Sequence, residues 1–425
     1  MRRCKLKLNY KRTFFIGLAF LSISAFWQLY DNLIPLMLSN TFNLSETKTG
    51  MIMAADNVLA LFLLPIFGSI SDKTYTKIGK RKPFIIVGTL ITVIAMVFIP
   101  YANNQFNFPI FITALTIVLL SMSTYRAPTV ALMPDLTPKP LRSKANAVIN
   151  LMGAVGGTLS LLAIFYLVPK TDHPDYTMVF LSIALVMFVS VLLMSITIDE
   201  NKIKKEVHIE KDDDSLTDQK GHMPKEVKRS LYFILASIFL WFTAYNAVTT
   251  AFSRYAIKVW GLTGGGFAKA ILVATIAAII SFIPVGFIST KLGRKKTVLM
   301  GITMVTLSYL AGVFFKNYSP LINLVFAVMG IGWAMINVNS YPMVVEMSKS
   351  GDIGKYTGLY YTFSMAAQIF TPVFSGFLLE NVGYQILFPY ALIFSIGSFI
   401  TMSMVKHGDS KPDKKDKLDS FDVEV

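Results

Sequence analysis

Twelve runs of about twenty apolar residues, each long enough to cross a ~30 Å hydrocarbon core, constrain this chain more than any other feature. They fall at 13–38, 48–71, 84–101, 108–133, 145–168, 176–197, 230–252, 266–290, 297–315, 320–345, 356–379 and 384–405. A backbone inside hydrocarbon must satisfy its own hydrogen bonds, and runs of this length do so as helices. The composition agrees: the 425 residues are 54% hydrophobic and 15% charged, with a mean hydropathy of +0.56, against roughly 25% charged in soluble domains. The expected class is an all-α membrane protein with twelve transmembrane helices.

A formal charge of +15 would suit nucleic acid if it lay on one soluble face, but here the cations sit in alternate loops and no nucleic-acid partner is expected. The segment "MRRCKLKLNYKR", the loop at 71–83, Lys139, Arg142 and Lys144, the loop at 290–296, and Lys349 with Lys355 fall on one side; the other side holds mostly single cations, such as Lys48, Lys170 and Lys316, and the pair Arg254 and Lys258. The positive-inside rule therefore puts both termini in the cytoplasm of a cell-membrane protein. Four histidines (His173, His208, His222, His407) lie in loops or tails, and the spans contain no nucleophile–base or metal-ligand spacing, so neither an enzyme, a metal nor a cofactor is expected. Cys4 is the only cysteine and has no intrachain partner.

Residues 199–228 form the long polar interior segment, with mixed charge and little apolar content, which fits a solvated linker. It divides the chain into a six-span bundle at 1–198 and a second at 229–405, followed by a polar tail at 406–425 expected to be disordered. The halves echo each other. "GSISDKTYTKIGKRKPF" (68–84) follows span two, and "GFISTKLGRKK" (286–296) follows span eight; "PDLTPKPLRSKANA" (134–147) follows span four, and "VEMSKSGDIGKYTG" (345–358) follows span ten. A parallel duplication of six spans produces this pattern.

The duplicated plan and the Gly-x-x-x-Asp…Gly-basic-basic loop resemble the major facilitator superfamily, which implies its fold of two six-helix bundles rocking about a central polar cavity. "SDKTYTKIGKRKPF" (71–84) and "YRAPTVALMPDLTP" (125–138) are similar to the sucrose/proton symporter group, which includes the solute carrier family 45 sugar transporters and their glycoside-pentoside-hexuronide:cation symporter relatives. What the resemblance implies is a carrier, working as a monomer, that moves a sugar, a disaccharide or other glycoside, by alternating access with protons. A drug or other small-solute/proton antiporter of the same fold is the alternative. Span five carries "GAVGGTLS" (153–160) without the Gly-Pro of that group, which counts against it.

The basic cluster has two readings: its lysines pin the cytoplasmic ends of spans, or it gates that end. The resemblance implies a breakable contact at Asp72, with Gly68 for close helix approach, Gly79 for a tight turn and Arg81 in the basic ending. Asp135 and Arg142 are candidates for the same network, with Glu346 and Lys355 as counterparts in the second half, where Thr290 replaces the acid.

Ionisable groups within spans are costly and mark function by default. Asp31, Asp56 and Arg126 are the candidates for ion coupling, because an acid whose pKa is raised by burial and lowered by a nearby guanidinium can exchange a proton as a cavity opens and closes. Asp31, Asn32, Asp56 and Asn57 would also supply oxygens to sodium, so the coupling ion stays open. A sugar needs planar hydrogen-bonding groups and aromatic faces. Trp27, Gln28 and Asn57 in the first half, and Trp241, Tyr245, Asn246, Trp333, Asn337 and Gln368 in the second, supply them, although interface anchoring and helix–helix hydrogen bonding use the same residue types.

Overall fold

The computed structural model describes residues 8–138, 141–171, 173–203, 225–347 and 353–409, with the side chains of 143, 144 and 353–355 left aside. Most of the expected linker, most of the expected tail, Cys4 and the side chain of Lys355 lie outside the described residues.

Twelve helices long and apolar enough to cross a membrane are present among them. They are α1 (Tyr10–Leu36, continued by a π-helical turn at Met37–Thr41), α2 (Glu46–Lys73), α3 (Lys82–Asn104), α4 (Phe108–Leu136), α5 (Arg142–Leu167), α6 (Thr177–Thr197), α7 (Lys225–Lys258), α8 (Ala268–Leu292), α9 (Arg294–Phe314), α10 (Ile322–Glu346), α11 (Ile353–Asn381) and α12 (Leu387–Ser403, preceded by a 3₁₀ turn at Tyr384–Ile386). Large apolar side chains such as Phe62, Ile94, Leu185, Ile280 and Leu324 stay exposed. In a water-soluble protein they would form an aggregating surface, whereas on helices of membrane-spanning length such side chains suit contact with lipid. α7 begins at Lys225, inside the segment read as linker, because its first turn of charged residues extends the helix beyond the apolar run.

Contacts between helices divide the chain into two compact units: Met1–Tyr30 with Val58–Asp214, and Asp31–Asn57 with Ser215–Val425. The second unit therefore includes the end of α1 and the start of α2. Within it α2 runs against α11 at van der Waals distance: a Cβ added at Gly50 would strike the backbone of Pro372, and one at Gly376 would lie 2.5 Å from the carbonyl oxygen of Glu46. Only glycine permits so close a helix crossing.

In the first unit α3 packs on α4 and α6; in the second, α9 packs on α10 and α12. These are the same neighbours displaced by six helices, as a duplication requires. Glycines set both crossings. Gly88 of α3 lies against the ring of Tyr125, and Gly301 of α9 lies against the Gly332 carbonyl and the Met335 side chain. Gly301→Leu is expected to force α9 and α10 apart, at a cost of about 1–3 kcal/mol. It should lower the apparent Tm in detergent, and an unchanged Tm would contradict this packing.

Candidate functional site

The basic loop between α2 and α3 is organised by an acid from far along the chain. Glu200, 1% exposed, stands at the N-terminus of α3 and accepts from the backbone N–H groups of Lys80 (2.9 Å), Arg81 (3.0 Å) and Lys82 (3.1 Å). A carboxylate suits this place because the first N–H groups of a helix lack intrahelical partners and carry partial positive charge. Lys82 returns the favour at the other pole: its Nζ donates to the Ser195 and Ile198 carbonyls (2.8 and 2.7 Å) at the end of α6. Gly79 has φ +119°, and a Cβ there would run into the Glu200 carboxylate, so the position excludes other residues twice over.

The Arg81 side chain then joins two helices. Its guanidinium pairs with Asp72 at the end of α2 and with Asp135 near the end of α4 (Nε to Oδ2, 3.0 Å), and it donates to the Ser71 hydroxyl and the Gly68 carbonyl. Lys80 Nζ lies 3.0 Å from Asp135 and 3.5 Å from Asp72. Gly68, Asp72, Gly79, Arg81 and Asp135 are thus brought together. Arg142 acts otherwise: it donates to the backbone carbonyls of Thr137 (3.3 Å) and Pro134 (2.9 Å), holding the end of α4.

The second unit repeats the device. Gly293 (φ +90°) faces the Asp409 carboxylate, which accepts from Lys295 N at 3.0 Å, and Lys295 Nζ donates to the Ser403 carbonyl at 2.9 Å at the end of α12. Arg294 pairs with Glu346 at the end of α10. Among the described residues Glu346 thus has Arg294 as a partner; the side chain of Lys355, the other candidate for this network, lies outside them. Thr290, in place of the acid, bonds its hydroxyl to the Phe287 carbonyl (2.8 Å), so the second copy lacks that arm.

Inside the spans, the candidates form separate groups. In the first unit the Arg126 guanidinium sits 5.3 Å from the centroid of the Trp27 ring, a cation–π contact, and Gln28 reaches the α5 surface at Gly157. The Trp27 Nε1–H is buried without a hydrogen-bond partner among the described residues. In the second unit the rings of Tyr245 and Trp333 stack in parallel, centroids 3.7 Å apart and 5° between planes, with Phe242 edge-on to Trp333. Asp56 is buried and accepts from Asn57 Nδ2 at 2.8 Å. Asn246 keeps a buried Nδ2 without a partner among the described residues. Asn337 is half-buried and Trp241 buried, whereas Gln368 spends its amide on the Ser364 carbonyl of its own helix (3.3 Å).

At the end opposite the basic loops lies a group that the sequence reading did not identify. Glu46, at the first turn of α2 and 6% exposed, lies 2.9 Å from Arg254 Nε and 3.6 Å from Lys258 Nζ, and accepts from the Tyr384 hydroxyl. Next to it the Thr47 backbone N–H and hydroxyl donate to Glu380. Among the described residues no cluster of His, Cys, Asp and Glu is suited to a metal ion.

The family model described as Major Facilitator Superfamily matches residues 16–318 and 270–423. An uncharacterised transporter of this type from Methanocaldococcus jannaschii is 22% identical over 389 residues, covering 88% of this chain and 89% of its own length. A sucrose transport protein of Arabidopsis thaliana is 28% identical over 142 residues, which span 29% of this chain and 24% of the plant protein. Among solved structures, the nucleoside transporter NupG (TM-score 0.68, 15% identity, 94% of this chain and 100% of that one) and the inward-open xylose transporter XylE from E. coli (TM-score 0.66, 13% identity, 95% and 97%) share the fold.

Glu200→Ala is expected to strip three backbone donors of a charged acceptor, where such bonds contribute about 1.5–3 kcal/mol each before compensation by water. The variant should melt lower and be cut faster by trypsin in the 73–82 loop; parental cleavage rates would show that Glu200 does not hold the loop.

Proposed function

The chain belongs to the major facilitator superfamily, and on that premise we propose that it carries a sugar, a disaccharide or other glycoside, across the cell membrane by alternating access, coupled to protons. The observation that carries this reading is the parallel Tyr245–Trp333 stack with Phe242 edge-on to it, an aromatic surface of the kind that packs on a pyranose ring. The partial similarity to plant sucrose transport proteins supports the same substrate class.

In this reading Asp31 and Asp56 bind and release the proton, and Arg126 tunes that exchange from the first half. The candidates for binding the sugar are Trp27 and Gln28 in the first unit, and Asn57, Trp241, Tyr245, Asn246, Trp333, Asn337 and Gln368 in the second. A carboxylate that must be protonated before the loaded carrier reorients makes uphill movement depend on the proton gradient, while exchange of sugar for sugar does not. The protein functions as a monomer with both termini in the cytoplasm, its six-helix bundles at 1–198 and 229–405 joined by the linker. The basic-end networks lie on the cytoplasmic side. There Asp72, Arg81 and Asp135, with Gly68, Gly79 and Arg142, and Glu346 with Lys355 in the other half, act as contacts that form and break with the gate.

The test is uptake of labelled sucrose and maltose into proteoliposomes under an inward proton gradient. The parent protein should accumulate one of them. Asp31→Asn or Asp56→Asn should abolish accumulation while sparing sugar exchange, and Arg126→Ala should impair both. Absence of accumulation of either sugar by the parent, with or without the gradient, overturns the sugar reading.

A further inference from the structure

The second unit carries a group of cations that neither the basic-loop networks nor the sugar reading uses. α7 opens with Lys225, Lys228 and Arg229, all exposed. α12 packs along α7, with the Ser237 hydroxyl bonded to the Ser398 carbonyl at 2.9 Å, and the chain leaving α12 is tied to the same corner. There the Lys406 N–H donates to the Ser230 hydroxyl at 3.1 Å, and His407 Nδ1 lies 2.9 Å from that oxygen. Ser230, 3% exposed, thus holds Lys406 and His407 beside Arg229.

These cations differ from those of the basic loops. Arg81 and Arg294 are paired with acids, and Lys82 and Lys295 bind helix carbonyls. Lys225, Lys228, Arg229 and Lys406 form no ion pair among the described residues. Asp409 is engaged by the Lys295 N–H, and Glu226 is the one acid in the first turn of α7. The partial positive charge of that turn disfavours further cations on it. A cluster so placed calls for an anion from outside the chain.

The aromatic neighbours narrow the kind of anion. Lys228 Nζ lies 5.9 Å from the centroid of the Tyr232 ring, and the Arg229 guanidinium 5.6 Å from that of Phe233. Side chains on a helix lean toward its N-terminus, so both rings reach back to the level of the cations, above the apolar run that continues along α7. Tyr232 is 59% exposed. Cations outermost, rings beside them and apolar surface beneath is the layering of a membrane interface.

We propose that the corner between the start of α7 and the end of α12 binds the headgroup of an anionic phospholipid. Lys228, Arg229 and Lys406 take the phosphate, Lys225 and His407 flank it, and the acyl chains run down the apolar surface below Tyr232. The end of α6, counterpart of α12 in the first half, carries Thr197 and Ile198 ahead of the acids Asp199 and Glu200, so the site belongs to the second unit. It requires nothing of the transported solute.

The experiment is native mass spectrometry of the full chain released from detergent, titrated with a phosphatidylglycerol, with a phosphatidylcholine of the same acyl chains, and with glycerol phosphate, which has none. The parent should bind the first phosphatidylglycerol about fivefold or more tighter than phosphatidylcholine and should not retain glycerol phosphate. One cation near an anionic headgroup changes affinity about fivefold. Lys228→Gln with Arg229→Gln should therefore weaken phosphatidylglycerol about tenfold or more, and Lys406→Gln alone about fivefold. Lys269→Gln with Lys316→Gln, which removes equal charge from exposed positions at the other end, should leave binding unchanged. A parent without lipid preference, parental affinity in the Lys228–Arg229 double variant, or an equal loss in the Lys269–Lys316 control overturns the site. Tight retention of glycerol phosphate overturns a lipid as its ligand.

Discussion

Hydrocarbon offers no hydrogen bonds, so a chain that crosses it must satisfy its backbone within helices and set its buried charges against partners of its own. The first half of that constraint produces twelve apolar helices. The second decides where the charged residues go. At the basic end, Glu200 and Asp409 occupy helix N-termini, and Lys82 and Lys295 occupy the carbonyl-rich ends of α6 and α12. Each acid and lysine thus complements a helix pole as well as its charged neighbours. At the far end Glu46 meets Arg254 and Lys258.

The duplication explains why the basic ends look alike and where they differ. A glycine at positive φ, an acid placed against it, an arginine at the start of one helix paired to the end of the following helix and a lysine bound to carbonyls recur in both units. The first copy has a second acid for its arginine, Asp72, where the second has Thr290. Two carboxylates on one guanidinium make the first network the more strongly charged.

The number, length and apolar character of the helices were legible in the sequence, because hydropathy over twenty residues is a local property. The family resemblance of the basic loop also put forward Asp72, Gly79, Arg81 and Asp135, which the fold brings to one place; Arg142, put forward with them, turns to backbone carbonyls. What the sequence hid were partners separated by long stretches of chain. Glu200 sits in a segment crowded with acids and lysines, and nothing local marks it as the one that turns inward to α3. Asp409 opens a polar tail and looks the same as the charges after it. Glu46 precedes an apolar run in a short loop, and Arg254 and Lys258 look like loop cations; only the crossing of α2 with α7 and α11 brings them together. The grouping of residues 31–57 with the second unit was hidden for the same reason.

The proposed transport of a sugar turns on a link between the movement of sugar and that of protons. Proteoliposomes loaded with a pH-sensitive dye, with the membrane potential clamped and no proton gradient imposed, isolate that link. Adding external sucrose or maltose should acidify the lumen as sugar runs downhill and draws protons with it. A lumen whose pH does not move while the sugar enters would contradict proton coupling, and the carrier would then be driven by another ion or by none.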